Sequence, residues 1–182
     1  MRERNARGEG ARLRDDLVTA ARDLLVIPDD QAPFSLRSVA KAAGVSPAAV
    51  YRHFASAEEL VEAVISDQND ALREALGTGS LRELGGRYAA WGLANRGSYT
   101  LLFESADRLA HRGGPGSPGW DMVESLAIRL TVERSLPDGE GTVLAIRLWA
   151  MLHGIVSLRI HKPGLPWPTT VDEEIAAIIG RF

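Results

Sequence analysis

The chain has 182 residues, 45% of them hydrophobic and 25% charged, with a net charge of −3. That length suffices for a small domain followed by a larger one, and the slight negative balance excludes a uniformly basic nucleic-acid coat. Cysteine is absent, which excludes disulfides, thiolate metal sites and cysteine nucleophiles, and the N-terminus has no apolar signal region, so the expected compartment is the cytoplasm.

Charge is unevenly spread. Residues 1–54 hold nine Lys/Arg against seven Asp/Glu, and the remainder holds twelve against seventeen. Much of the early excess sits at Arg2, Arg4, Arg7, Arg12 and Arg14. Residues 1–11 read as a flexible basic arm, equally able to solubilise the chain or to lie on phosphate. Leu13, Leu17, Ala20, Ala21, Leu24 and Leu25 then mark an amphipathic helix.

Residues 35–54 predict two short helices joined by a tight turn. Ser35 is an N-cap, and Leu36, Val39, Ala40 and Ala43 recur at helical spacing. Gly44 ends that helix, because glycine adopts left-handed backbone angles at little cost. Ser46 caps the next helix, Pro47 suits its first position, and Val50 and Phe54 share its inner face. A second helix of about eight residues, roughly 12 Å long, fits the DNA major groove. The pair is a helix-turn-helix signature. The same spacing fits an ordinary helical hairpin that touches no nucleic acid. Ser56-Ala57-Glu58-Glu59 follows as a capping box, opening a long helix with Leu60, Val61, Val64, Ile65 and Leu72 on its apolar side.

From about residue 80 the chain reads as a helical body. Leu81 to Asn95 carries Leu84, Tyr88, Trp91 and Leu93, with Gly85, Gly86 and Gly92 weakening it as an isolated helix. Gly97-Ser98 looks like a stop and a new cap before Tyr99, Leu101, Leu102 and Phe103. Residues 111–119 form a glycine- and proline-rich loop without the strand or the Gly-Lys-Ser/Thr ending of a phosphate cradle. Trp120 to Arg134 is another amphipathic helix, ending near Pro137-Asp138-Gly139. Val143 to Ile160 is apolar nearly all round, which predicts a core on one side and a partner subunit on another; Arg147, His153 and Arg159 make it too charged for a simple membrane span. Pro163 to Pro168 forces a turn, and Val171 to Phe182 makes a last helix with Ile175, Ile178 and Ile179.

The ordered motifs of residues 12–72 resemble the TetR family of bacterial one-component repressors. The resemblance rests on Phe34-Ser35-Leu36-Arg37, Val39-Ala40, Ala43-Gly44-Val45-Ser46, Val50-Tyr51-Arg52-His53-Phe54 and Glu58-Glu59-Leu60. It implies an all-α fold. A three-helix DNA-binding domain would span residues 12–56, a connecting helix 57–76, and a helical effector-binding and dimerisation domain 77–182. Arg37, Ser46, Pro47, Ala48, Ala49, Tyr51, Arg52 and His53 would then lie at a double-stranded DNA operator. Two departures stand out. Many relatives have Gly-Thr-Leu-Tyr where this chain has Ala48-Ala49-Val50-Tyr51, and many have a phosphate-contacting lysine where it has Ala57. The segment Trp149 to Leu158 is similar to the Trp-His-Gly region of one C-terminal subfamily.

That second similarity implies an effector cavity and a homodimer built by the last two helices. Trp91, Phe103, Trp120, Met122, Trp149, Met151 and His153 are the candidate ligand contacts, since aromatic and methionine side chains line apolar sites well. Large residues at helical spacing equally form plain core. Neither catalysis, nor a cofactor, nor a metal is expected: no nucleophile–base pair or cofactor fingerprint stands out, and no two histidines fall at i and i+4. The expected function is a transcriptional regulator, most simply a repressor released by a small, mostly apolar effector. The alternative is a helical ligand carrier or enzyme whose hairpin is only structural.

Overall fold

The computed structural model describes residues 9–26, 34–105, 117–137 and 139–182. Among the described residues the chain is helical, without strands. It divides into two compact units, residues 1–70 and 71–182, with the boundary inside one helix.

The first unit contains α1 (Glu9–Val26), α2 (Leu36–Ala42), α3 (Pro47–Tyr51) and most of α4 (Ala57–Leu76). Its core is Leu17, Ala21, Val39, Val50, Phe54, Leu60 and Val64, all essentially inaccessible. α1 begins at Glu9, within the stretch 1–11 read as an arm, and takes in Arg12 and Arg14. Arg14 stands over the Phe54 ring, 5.1 Å from its centroid, so it serves packing within this unit. Arg2, Arg4 and Arg7 lie outside the described residues.

The second unit holds the end of α4 and then α5 (Leu81–Ala94), α6 (Arg96–Phe103), α7 (Pro118–Arg134), α8 (Glu140–His161) and α9 (Val171–Ile179). The principal pairing is α7 against α8, with α5 and α9 packed together and both touching α8. At that pairing, a side chain at Gly141 would collide with Thr131 Oγ1 and approach the Ala127 carbonyl oxygen to 3.0 Å, so glycine allows the two helices to start in close contact. Leu126 and Leu130 of α7 and Ala145, Leu148, Leu152 and Val156 of α8 are buried, with Leu152 and Val156 against Gly85 and Gly92 of α5. Length and composition would let α8 cross a bilayer; in the fold it lays this one face against its neighbours and exposes Val143, Ile146 and Leu158 on another.

Two expected boundaries move. α5 stops at Asn95, whose Nδ2 donates to the Trp91 carbonyl oxygen at 2.9 Å, and α6 starts at Arg96. Ser98 is therefore a buried residue inside α6, not its cap. Ser117 caps α7 and Pro118 and Gly119 are helical, so the expected loop ends two residues earlier; residues 111–116 lie outside the described part.

Candidate functional site

The helix-turn-helix is built from short-range hydrogen bonds. The Ser35 hydroxyl accepts the Ser38 amide at 3.1 Å, and the Ser38 hydroxyl accepts the Ser35 amide at 3.0 Å, closing a reciprocal cap. Gly44, at φ 68°, reverses the chain, and the Val45 amide returns to the Ala40 carbonyl at 3.0 Å. Ser46 accepts the Ala49 amide at 3.3 Å, with Pro47 in the first helical position. α3 is shorter than the expected eight residues: it runs only from Pro47 to Tyr51, after which the His53 and Phe54 amides both bond the Val50 carbonyl.

Val50 and Ala49 turn inward, while Arg37, Ser46, Pro47, Ala48, Tyr51 and Arg52 are exposed and His53 is half-buried. The Ala49 methyl, expected at DNA, is only 7% exposed and belongs to the hairpin core instead. The start of α3 has few free amides for a phosphate, since Pro47 has no N–H and Ser46 occupies the Ala49 N–H. Tyr51, at 55% exposure, is the largest side chain on this face. Lys41, exposed in the last turn of α2, adds a cation that the motif alone does not single out.

In the second unit the candidates divide. Phe103, Trp149 and His153 meet in one cluster. Phe103 lies 5.8 Å from Trp149 and 6.1 Å from His153 between ring centroids, and Trp149 lies 5.8 Å from His153. Two residues absent from the expected set complete it. Tyr88 and Tyr99 are fully buried, with hydroxyls 2.9 Å apart. Trp149 Nε1 donates to the Tyr88 hydroxyl at 3.1 Å, and the Tyr99 hydroxyl meets His153 Nδ1 at 2.6 Å. His153 stacks on Tyr99 with an interplanar angle of 14°. Gly92 makes room for this, since a Cβ there would sit 2.7 Å from the Tyr99 ring and 2.8 Å from Val156.

The remaining candidates fall elsewhere. Met122 is buried in the α7 core. Trp120 donates to Glu124 of its own helix at 2.7 Å, although its neighbour Gly119 abuts the Trp149 ring. Trp91 and Met151 are half-buried and make none of the ring contacts of the cluster. Gly154 faces open space: a Cβ at this position would meet nothing within 4 Å.

Burial sets the protonation of the cluster. Loss of water pushes both tyrosine hydroxyls above their ordinary range and holds His153 below its ordinary value, the nearby Glu104 charge opposing this in part. Burial pushes Glu104 up, but hydrogen bonds from Ser157, His161 and Thr100 and the attraction of His161 outweigh it, leaving the carboxyl below its ordinary value. His161 Nε2 lies 2.6 Å from Glu104 Oε2.

A helix-turn-helix whose exposed face is polar and basic, followed by an all-helical unit with a polar–aromatic centre, defines the helical one-component class of transcription regulator. Sequence and fold comparisons agree. The family model "Tetracyclin repressor-like, C-terminal domain" matches residues 81–182, and "Bacterial regulatory proteins, tetR family" matches residues 32–64. The chain belongs to the TetR family of transcriptional regulators. No curated protein matches its sequence. Among solved structures it is similar to a flavonoid-responsive regulator, FrrA, with 24% identity and a TM-score of 0.68 over 94% of this chain and 95% of that one. NalD, the secondary repressor of the MexAB-OprM multidrug efflux pump in Pseudomonas aeruginosa, shows 20% identity and a TM-score of 0.66 over 94% and 96%. A protein of unknown function from Rhodococcus sp. RHA1 shows 26% identity and a TM-score of 0.70 over 93% and 92%.

Proposed function

We propose that this chain is a homodimeric cytoplasmic repressor that leaves its operator when a small, mostly apolar effector binds the second unit. The observation that carries the DNA-reading part is the exposure of Arg37, Ala48, Tyr51 and Arg52 on a hairpin whose inner face is fully buried. Ala48 brings a methyl close to base edges, Tyr51 donates to a phosphate, and the arginines neutralise backbone charge. The reader then works without the relatives' threonine and lysine contacts. Arg37, Arg52 and Lys41 supply the cations in their place, so binding weakens steeply with salt.

The ligand-binding part rests on the Phe103–Trp149–His153 cluster, on the likeness of Trp149 to Leu158 to the Trp-His-Gly type of C-terminal body, and on the ligand response and repressor role named for FrrA and NalD. Differential affinity of the effector for two arrangements of the dimer provides the coupling. α4, which runs through both units, is the covalent route between them.

The dimer surface is revised from the expected last two helices. Ile175, Ile178 and Ile179 of α9 are buried within the chain, whereas Ile128 and Val132 of α7 and Val143, Ile146 and Leu158 of α8 remain exposed. The α7–α8 pair is therefore the better interface.

The test of DNA reading is selection of bound sequences from a random duplex library with purified protein, followed by titration of Tyr51→Ala on the selected site. The Tyr51 side chain is more than half exposed, so the variant folds and binds about tenfold or more weaker, in line with the loss of one or two phosphate or base contacts. Unchanged affinity in a folded protein would remove α3 from the reading face.

A further inference from the structure

The hydrogen-bonded chain in the second unit is oriented from its Trp149 end, and that orientation points to a ligand chemistry. Trp149 Nε1–H can only donate, so the Tyr88 oxygen accepts it at 3.1 Å. Tyr88 has one proton left to place, and the neighbouring acceptor is the Tyr99 oxygen at 2.9 Å. The Tyr99 hydroxyl has two acceptors on His153, Nδ1 at 2.6 Å and the backbone carbonyl oxygen at 3.4 Å, and the shorter contact takes its proton. The opposite direction would leave the Tyr88 proton facing the Trp149 donor inside a fully buried site, an unmade bond that a buried hydroxyl rarely tolerates. On this assignment Nδ1 accepts, and His153 carries its proton on Nε2.

Among the described residues Nε2 has no hydrogen-bond partner. His153, Phe103 and Trp149 are each half-buried, ring against ring, above the fully buried tyrosine pair. Glu104, paired with His161 at 2.6 Å, lies within electrostatic reach of His153 and both tyrosines.

Resting on the effector-binding reading above, we propose that His153 Nε2–H is the donor that recognises an uncharged hydrogen-bond acceptor, a ketone, ester or ether oxygen, on a planar aromatic effector whose ring packs on Phe103 and Trp149. Tyr99, Tyr88 and Trp149 are positioning residues: they hold the imidazole in the tautomer that donates outward. A carboxylate ligand is disfavoured, because desolvation favours the neutral imidazole, which offers it no counter-charge. The buried relay also explains why an acceptor would be discriminated, since a donor left unpaired under a bound apolar ring forfeits its hydration.

The test uses three ligands of one shape on the full-length protein: 2-acetylnaphthalene, 2-ethylnaphthalene and 2-naphthoate, each titrated by calorimetry. The ketone binds about tenfold tighter than the hydrocarbon, the difference one net hydrogen bond makes, and tighter than the carboxylate. His153→Phe keeps an aromatic ring in place and abolishes the ketone preference. Nitrogen-15 NMR of the ligand-free protein gives a check that needs no variant and no ligand: His153 is the Nε2–H tautomer at neutral pH. Equal binding of ketone and hydrocarbon, preference for the carboxylate, absence of binding by all three, or an Nδ1–H tautomer would each overturn the assignment. None of these readouts involves DNA, so a failure of operator release counts against the regulatory reading alone.

Discussion

Two glycines of α5 illustrate how a single residue serves the aromatic centre. Gly92 faces the Tyr99 ring, and a Cβ there would stand 2.7 Å from it, closer than atoms pack, whereas Gly86 on the same helix has nothing within 4 Å. Helix propensity favours alanine over glycine at both positions by about 0.5–1 kcal/mol. Packing decides the sign. Gly92→Ala forces Tyr99 and Val156 apart and breaks the tyrosine pair, so it destabilises the protein by about 1–3 kcal/mol. Gly86→Ala keeps the propensity gain and stabilises by about 0.5–1 kcal/mol. Urea denaturation of the two variants against the parent gives opposite shifts in midpoint; shifts of the same sign would show that Gly92 is not held by Tyr99.

At the scale of elements, the end of α4 is held by two arginines. Gly77 and Gly79 take positive φ after the helix, and the carbonyls of the turn are collected from two sides. Arg87 of α5 donates to Leu76 at 2.9 Å and Thr78 at 2.6 Å. Arg129 of α7 donates to Gly79 and Gly77, both at 3.0 Å, and to Ser125 of its own helix at 3.1 Å. The planar guanidinium suits this fork, and lysine does not. Arg129→Ala costs about 1–2 kcal/mol, discounted because most of these bonds reach solvent, and it speeds amide exchange around residues 77–81; Arg129→Lys recovers less than half of the lost stability. Native-state hydrogen exchange and thermal melting measure both. The bonds to this turn are not legible in the sequence, as Arg87 lies nine and eleven positions from its acceptors there and Arg129 fifty or more. The helix-turn-helix was legible for the opposite reason: Ser35, Gly44, Ser46 and Ser56 act on amides and angles within four residues of themselves. Where a local signal failed, another local group had pre-empted it, as when Asn95 ended α5 before the expected stop at Gly97. Phe103, Trp149 and His153 could be named from residue type, but Tyr88 and Tyr99 could not be singled out. Their partners lie 54 and 61 positions away, and only the packing of α5, α6 and α8 brings the hydroxyls together.

For the whole molecule, the outstanding demand is the α7–α8 surface. Val132 is 74% exposed, Ile128 65% and Val143 52%. On α8, Val143, Ile146, Ala150, Gly154 and Leu158 recur every three or four residues and so share one face, with small side chains in the middle of the stripe. Gly154 has open space before it, which lets a second helix approach more closely than any larger residue would. α9 adds nothing to this surface, since its three isoleucines are already buried within the chain. A two-fold axis near the stripe would bury it against its own copy, and a pseudo-palindromic operator requires such a pair of readers. Ile146→Glu places a charge on each side of that axis, where the two copies would meet without a counter-charge. Sedimentation velocity then shows a monomer at concentrations where the parent is a dimer. Helical circular dichroism is kept, because Ile146 lies outside the buried face formed by Ala145, Leu148, Leu152 and Val156. Operator binding weakens far more than Tyr51→Ala weakens it, since a monomer loses one whole half-site and not one contact. A folded Ile146→Glu variant that remains dimeric would move the interface off this face of α8.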